Sequence, residues 1–187
     1  MKRHITNIAN IGKRVALVTG STRGIGANII LKLAQNNYDV VITGKTDNDD
    51  ERGSIYTTQK MIEKYNVESL PIKLDLRDVN SISECVEQVD KKFGRLDVLI
   101  NNASALWWTN IEKTSEKRYD LINDINAKGS FLMSKKFLKL MKKNNYGHII
   151  NHSPPLLNTN LPEIYKDKTG YMISKFGMSM VAMGIAA

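Results

Sequence analysis

The sequence has little of several features that define large classes of protein. Its 187 residues include one cysteine, Cys85, which excludes an internal disulfide framework and favours a reducing compartment. Hydrophobic runs stay well short of the ~20 residues that a membrane-spanning helix needs. Residues 1–7 hold no apolar stretch of the kind that a secretory signal has. We therefore expect an intracellular protein, cytoplasmic by default, with Cys85 half-buried on a helix.

Metal ligands and nucleic-acid contacts are also not indicated. His148 and His152 flank a predicted strand without ligand partners nearby in the sequence, so no metal site is predicted. The net charge is +8, but the lysines are spread along helical segments rather than clustered with aromatic residues. We interpret them as solvated helix faces with a preference for phosphorylated ligands, and expect no nucleic-acid partner. With 42% hydrophobic and 25% charged residues, the chain fits a single domain over 1–187.

Short apolar runs alternate with segments of helical periodicity along the chain. Strands are predicted at residues 14–19, 39–43, 70–74, 96–100 and 147–151. Helices are predicted at residues 26–37, 54–66, 79–93 and 115–143, and a last one from about Gly170. This alternation predicts an α/β fold, a Rossmann-like doubly wound parallel sheet with helices on both faces.

Three details refine this prediction. Gly94 is placed as the C′ residue of the helix over 79–93, and the helix over 115–143 is expected to break near Asn126. The inner side of the helix over 54–66 is expected to carry Ile55, Met61, Ile62 and Tyr65. Residues 154–169 show no clear period, and a long loop after a strand's carboxyl end is a typical functional segment in this architecture.

A glycine-rich turn joins the first strand to the first helix. Glycines in such a turn allow tight backbone geometry and close approach of a pyrophosphate, and the helix N-terminus offers unpaired N–H groups. The spacing, Gly-x-x-x-Gly-x-Gly, differs from the best-known dinucleotide fingerprint, and a tight turn without a ligand is the alternative. We predict that the turn binds a dinucleotide through Gly20, Ser21, Thr22, Arg23, Gly24, Ile25 and Gly26.

The end of the second strand bears on the choice of cofactor. A carboxylate there would bind the 2′-hydroxyl of NAD and repel a 2′-phosphate. This chain has Gly44 and Lys45 instead, with no acid before Asp47, and Arg23 lies inside the glycine turn. Two cations near the adenosine ribose favour NADP(H) over NAD(H), unless Lys45 is a solvated loop residue.

Tyr171 and Lys175 lie four residues apart in a predicted helix, and therefore on one face. A phenol beside an ammonium can act as a proton-transfer pair, because the positive charge favours the phenolate. The pattern Tyr-x-x-x-Lys also arises by chance, so it gains weight from the glycine turn near the other end of the chain.

Taken together, the motifs resemble those of the short-chain dehydrogenase/reductase family. They cover nearly all of the chain in the family's order: residues 19–26, Asp75 in Leu-Asp-Leu-Arg-Asp, Asn101-Asn102-Ala103, Asn126 in Ile-Asn-Ala-Lys-Gly, and Tyr171-x-x-x-Lys175. The segments Asn-Asn-Ala-Ser-Ala, His-Ser-Pro-Pro-Leu and Tyr-x-x-x-Lys-Phe-Gly-Met-Ser-Met are similar to its hydroxysteroid dehydrogenase-like protein 2 subgroup.

The resemblance implies a role for each matching residue. Tyr171 would be the general acid or base of a hydride transfer, and Lys175 would also hold the nicotinamide ribose. Asn126 would support a water that extends the proton path. Asp75 would touch the adenine, and Asn102 and Ala103 would line the cofactor. The resemblance also implies the reaction, because members of this family are oxidoreductases that act on a carbonyl or hydroxyl group.

The serine expected after the fifth strand departs from the family pattern. Ser153 occupies the first place of the usual pair, whereas Pro154, which has no side-chain donor, occupies the second. Ser153 also lies eighteen residues before Tyr171, so the intervening loop is longer than usual. Ser153 remains a candidate to polarise the substrate oxygen, with Thr159 and Ser174 as weaker alternatives.

The subgroup resemblance implies peroxisomal or mitochondrial relatives with an added sterol-carrier domain. Relatives of this family continue past the last helix with further strands and a helix that covers the substrate, so we expect this chain to be shortened at its C-terminus. Two functions follow. One is an NADP(H)-dependent oxidoreductase acting on an apolar small molecule, and the other is a catalytically impaired or non-catalytic NADP(H)-binding protein.

Three further expectations concern surfaces and partners. Trp107 and Trp108 either wall an apolar pocket or pack against the long helix. Met178, Met180 and Met183 are expected in core or interface packing. The two long helices resemble those that pair subunits in the family, which predicts a homo-oligomer.

Overall fold

The computed structural model describes residues 12–48, 53–154 and 166–187, and within these ranges five strands alternate with helices. The strands are β1 (Val15–Val18), β2 (Asp39–Gly44), β3 (Ser69–Lys73), β4 (Val98–Asn101) and β5 (His148–Asn151). The helices are α1 (Gly24–Gln35), α2 (Ile55–Ile62), α3 (Val79–Phe93), α4 (Glu116–Asn123), α5 (Gly129–Lys143) and α6 (Thr169–Ala186). The predicted α/β alternation is confirmed.

All pairs in the sheet are parallel, and the strand order is β3-β2-β1-β4-β5. The order runs outward from β1 in one direction and then, from β4, in the other. In this topology the crevice between the carboxyl ends of β1 and β4 is where ligands bind. Val18 of β1 is in register with both Ile42 and Ile100, so the turns that follow these strands meet at one edge.

Side chains alternate between the two faces of the sheet, and each face has its own core. On one face Leu17 and Leu99 pack with α3 and α5, including Phe137. On the other face Val18 and Ile42 pack with residues of α1 and α2. The near-continuous burial of β1, β2 and β4 explains why these strands have almost unbroken apolar sequences.

Helix α3 begins and ends where the sequence predicts. The Asp78 side chain accepts a hydrogen bond from the Asn80 amide at its N-terminus, and Gly94 has a φ of +66° at its C-terminus. A left-handed residue after the last turn is the position that glycine fills without strain. The prediction for Gly94 is confirmed.

Helix α2 is shorter than predicted. It ends at Ile62, because the Tyr65 amide bonds back to the Ile62 carbonyl and the chain turns away from the helix axis. The inner side is carried by Ile55, Thr58 and Ile62, whereas Met61 is exposed. The prediction that Met61 faces inward was wrong, because it lies on the adjacent, solvent side.

The long helix predicted over 115–143 is interrupted where expected. A π-helical turn, Asp124–Lys128, separates α4 from α5 and contains the fully buried Asn126. Such turns widen the helix locally and are frequent at functional sites. No helix among the described residues is both long and apolar enough to cross a bilayer.

Candidate active site

The glycine turn has the backbone geometry that its sequence indicates. Gly20 and Gly24 have φ angles of +65° and +55°, a region that glycine enters freely. A Cβ atom added at Gly26 would collide with the Gly20 carbonyl oxygen and would lie 2.5 Å from Asn102 Nδ2. The third glycine is therefore required by close packing between the turn, α1 and the segment after β4.

Thr19 ties the turn to the end of β4. Its hydroxyl oxygen accepts hydrogen bonds from the Asn102 amide at 2.9 Å and the Ala103 amide at 3.0 Å. Asn102 Nδ2 donates in return to the Thr19 carbonyl at 2.8 Å. Thr19 was not among the predicted site residues, although it directly precedes the first glycine at the carboxyl end of β1.

Ser21 lies beneath the turn rather than on its open side. Its hydroxyl oxygen accepts a hydrogen bond from the Thr43 amide at 2.9 Å, and its own amide donates to the Thr43 carbonyl at 2.8 Å. The side chain is fully buried and links the turn to β2. Its predicted contact with a cofactor stays a prediction, and the observed contacts of Ser21 hold the turn in place.

A cavity of about 450 Å³ opens above the turn. The predicted cofactor residues that line it are Gly20, Thr22, Arg23, Ile25, Gly26, Lys45, Asp75, Asn102 and Ala103. At its floor α1 begins at Gly24 with no side-chain cap on its N–H groups and no acid in its first turn. Unpaired amides at the positive end of a helix suit a pyrophosphate, so the residues present fit a dinucleotide.

Three charged side chains meet at the side of this cavity near the end of β2. Arg77 holds the Asp75 carboxylate at both oxygens, with Nε 3.1 Å from Oδ1 and Nη2 2.7 Å from Oδ2. Lys45 Nζ lies 3.1 Å from Asp75 Oδ2. The Arg77 guanidinium, supported by Lys45, holds the pKa of Asp75 well below its usual range.

A second cavity, of about 440 Å³, contains the predicted catalytic pair. Tyr171 and Lys175 on α6 line it together with His152 and Ser153, which follow β5. The Lys175 side chain reaches it from a largely buried position, with the residue 7% exposed. Burial lowers the pKa of the Lys175 ammonium, because low-dielectric surroundings disfavour its charge.

His152 is a residue of this cavity that the sequence reasoning considered only as a metal ligand. Burial and, to a smaller extent, the nearby Lys175 charge lower the pKa of its imidazole. Within the described ranges, no group of three or more histidine, cysteine, aspartate or glutamate side chains is arranged to hold a metal ion.

Ile25 lies between the two cavities and lines both. It is the second residue of α1 and is 68% exposed. The glycine turn and the Tyr171–Lys175 pair therefore line two neighbouring cavities that have the Ile25 side chain in common.

Asn126 holds the segment after β4 against α6. Its Oδ1 accepts from the Ala105 amide at 2.8 Å, and its Nδ2 donates to the Ala105 carbonyl at 3.0 Å and to the Ser174 hydroxyl at 2.9 Å. Both Nδ2 hydrogens and one Oδ1 lone pair are thus engaged with protein groups. These contacts hold α6, which carries Tyr171 and Lys175, and the predicted support of a water by Asn126 stays a prediction.

The two serine candidates have other partners. The Ser153 hydroxyl accepts a hydrogen bond of 2.7 Å from Ser179, and the Ser174 hydroxyl donates to the Tyr171 carbonyl at 2.7 Å. Ser179 lies eight residues beyond Tyr171, or roughly 12 Å along the axis of α6. The polarising role of Ser153 stays a prediction, and Thr159 lies outside the described residues.

The remaining singled-out side chains do not line either cavity. Trp107 packs under the Arg118 guanidinium of α4 at 4.1 Å, and Trp108 is exposed beneath Lys168 at 4.9 Å. Met178 belongs to the buried set. Cys85 lies on a helix, α3, as predicted, but it is fully buried rather than half-buried, and burial raises the pKa of its thiol to about 12, which leaves it unreactive at neutral pH.

Comparison with known proteins shows the family of this chain. The family model described as short chain dehydrogenase matches residues 14–187. The chain belongs to the short-chain dehydrogenase/reductase family. It is 41% identical to human hydroxysteroid dehydrogenase-like protein 2 over 184 residues, which cover 97% of this chain and 44% of that protein. The chain therefore spans less than half the length of this curated relative.

Solved structures of the family share the fold. A short chain dehydrogenase of Mycobacterium thermoresistibile superposes with a TM-score of 0.83 at 33% identity, over 92% of this chain and 61% of that one. A metagenomic short-chain oxidoreductase, solved in complex with NADP, gives a TM-score of 0.81 at 29% identity, over 92% of this chain and 75% of that one. The resemblance inferred from the sequence motifs is confirmed at the level of family and subgroup.

Proposed function

We propose that this protein is an NADP(H)-dependent oxidoreductase that interconverts a carbonyl and a hydroxyl group of an apolar small molecule. The observation that carries the proposal is that the cavity above the glycine turn and the cavity of the Tyr171–Lys175 pair are neighbours, with Ile25 lining both. A dinucleotide with its pyrophosphate at α1 would extend toward α6 across this residue. When bound, the nicotinamide would supply or take up the hydride.

Tyr171 carries the proton chemistry in this proposal. Its hydroxyl donates a proton to the substrate oxygen in reduction and accepts one in oxidation. The Lys175 ammonium, held in low-dielectric surroundings, stabilises negative charge on the Tyr171 oxygen and would hydrogen-bond the nicotinamide ribose. The apolar side chains of Ile25, Pro154 and Met172 line the reacting cavity, which favours an apolar substrate.

The preference for NADP(H) rests on charge at the adenosine end. Arg23 and Lys45 both line the cavity above the turn, and β2 ends in Gly44 where a carboxylate would favour NAD. The metagenomic relative solved with NADP is consistent with this choice.

Titration of the protein with NADPH and with NADH, followed by intrinsic fluorescence, tests the cofactor. Tighter binding of NADPH is expected, and equal affinities would overturn the argument from Arg23 and Lys45. A panel of carbonyl substrates then compares the wild type with Tyr171→Phe, for which a loss of roughly 10²–10⁴-fold in turnover is expected. Tyr171→Phe should keep the wild-type affinity for NADPH, because the substitution removes a single hydroxyl.

A second candidate is a protein that binds NADP(H) without catalysing its turnover. Pro154 at the usual place of the serine favours it, because proline has no side-chain donor, and the Ser153 hydroxyl that lines the reacting cavity already accepts a hydrogen bond from Ser179. Tight NADPH binding with no turnover on any carbonyl would support this function over the first.

We also propose that the protein forms a homo-oligomer through the outer face of α5 and α6. An apolar groove of about 420 Å³ runs along this face, lined by residues that include Phe131, Leu138, Met180 and Val181. Phe131 is 50% exposed and Met180 is 61% exposed. Large apolar side chains grouped on one surface are typical of subunit contacts.

A further inference from the structure

The charge cluster at the end of β2 contains a residue, Arg77, that does not line the cofactor cavity and that was given no role when the motif Leu-Asp-Leu-Arg-Asp was compared with the family. Arg77 is absent from the residues that line the cavity, whereas its two partners, Lys45 and Asp75, are among them. Arg77 therefore contacts the cavity through the Asp75 carboxylate. Any effect of Arg77 on the cofactor passes through this contact or acts across space.

Arg77 occupies the Asp75 carboxylate more completely than Lys45 does. Three donors come from Arg77: the backbone amide at 3.0 Å and Nε at 3.1 Å to Oδ1, and Nη2 at 2.7 Å to Oδ2. Lys45 adds one contact, Nζ to Oδ2 at 3.1 Å. A bidentate guanidinium is geometrically fixed, whereas an ammonium on a flexible stem can leave.

Lys45 faces two anions in the proposed function. It is paired with Asp75 in this structure, and it is the proposed ligand of the 2′-phosphate. To reach the phosphate it must weaken its contact with Asp75. This step costs little if the carboxylate stays neutralised by another cation, and costs more if Lys45 is its main partner.

We infer that Arg77 is a specificity-determining residue for the 2′-phosphate. Its bidentate contact with the Asp75 carboxylate, here called the Arg77 clamp, leaves Lys45 free to bind the phosphate. The clamp also neutralises the carboxylate charge, which would otherwise repel the phosphate. The inference rests on the proposed use of NADP(H). Arg77 does not touch the cofactor in this arrangement. It discriminates between cofactors by setting how much negative charge Asp75 presents to the cavity.

The test measures dissociation constants of NADPH and NADH, and of the fragments 2′,5′-ADP and 5′-AMP, by fluorescence or calorimetry. Arg77→Gln is expected to reduce the preference for the 2′-phosphorylated ligand in both pairs by roughly three- to fivefold, the range of an exposed ion pair. Arg77→Lys should retain part of the preference. Circular dichroism and melting temperature establish that each variant is folded.

A double-mutant cycle separates action through Asp75 from direct action on the phosphate. Asp75→Asn should raise the preference for 2′-phosphorylated ligands, and adding Arg77→Gln to it should change nothing further. A persistent loss in the Asp75→Asn background would mean that Arg77 acts on the phosphate directly, and would overturn the inference. The control is Lys73→Gln, which removes an equal charge from the neighbouring Asp47 pair outside the cavity lining and should leave the preference unchanged.

The outcomes also separate this inference from the proposed function. If the wild type binds NADPH and NADH equally, the proposed cofactor choice fails, and the inference fails with it. If the wild type prefers NADPH through Lys45 but Arg77→Gln keeps the same preference, the inference alone fails.

Discussion

The Ser179 hydroxyl donates a hydrogen bond of 2.7 Å to the Ser153 hydroxyl, which joins the end of β5 to the middle of α6. This contact ties Ser153 to a residue two helical turns beyond Tyr171, as expected of a structural hydroxyl pair. We therefore expect Ser153→Ala to lower turnover less than about tenfold and stability by about 1 kcal/mol, the cost of one hydrogen bond.

Ser179→Ala is the matched control for Ser153→Ala. If the two hydroxyls act as a structural pair, both single variants lose similar stability and the double variant loses little more. A turnover loss of about 10²-fold or more for Ser153→Ala alone, with Ser179→Ala unaffected, would instead show that Ser153 polarises the substrate. Urea unfolding and steady-state kinetics provide both readouts.

The buried ammonium of Lys175 is expected to lower the free energy of unfolding while it supports catalysis. Burial lowers its pKa in the folded state, so between the folded and unfolded pKa values the unfolded chain binds more protons, and stability rises with pH. Lys175→Met removes the buried ammonium and should raise the melting temperature at pH 7, by about 2–4 °C for each kcal/mol gained. Turnover should fall by roughly 10²-fold or more.

The stability gain of Lys175→Met should shrink as the pH is raised, because the wild-type lysine loses its charge. Lys139→Met, at an exposed position on the neighbouring α5, is the control and should show neither the gain nor its pH dependence. A variant that is less stable than the wild type at every pH would mean that the ammonium is well compensated in the folded state.

Gly26→Ala should disrupt the glycine turn. The added methyl group would collide with the Gly20 carbonyl and press on Asn102 Nδ2, and relief of such overpacking typically costs about 1–3 kcal/mol. Loss of NADPH binding should accompany the loss of stability, because the same backbone forms the cavity floor. Gly12→Ala, where an added Cβ meets nothing within 4 Å, should change neither property.

Met180→Glu should weaken self-association. It places a charge in the centre of the apolar groove between α5 and α6, where burial in an interface would be costly. Light scattering across a range of protein concentrations should show a smaller species than for the wild type. Met61→Glu, at a similarly exposed position on α2, is the control, and a wild-type protein of monomer size would contradict the proposed oligomer.

The fold could be predicted where local signals and tertiary structure agree. The buried strands have apolar sequences between turn residues, and α3 lies between Asp78 and Gly94, each of which serves as a cap. Met61 was misplaced because methionine fits either side of a short helix, and the packing of α2 on the sheet decides which side is buried.

The site was predicted less completely than the fold. Motif spacing predicts the positions of Tyr171, Lys175 and the glycine turn. The partners of Ser153 and Asn126 lie on α6, 26 and 48 residues away in the sequence, so they depend on how α6 packs. The Arg77 clamp was different, because Asp75 and Arg77 are two residues apart and an arginine so close to a carboxylate is a signal that the sequence contains.

Ile25 has a practical consequence for ligands of this protein. Fragments placed in the two cavities would be separated by the width of one isoleucine side chain, so a short linker that crosses it would join them. Linking turns the second binding event into an intramolecular one with a high effective concentration. Ile25→Ala would shorten the side chain between the two cavities. The passage between them would then be wider, and linkers of more than one length and shape would fit.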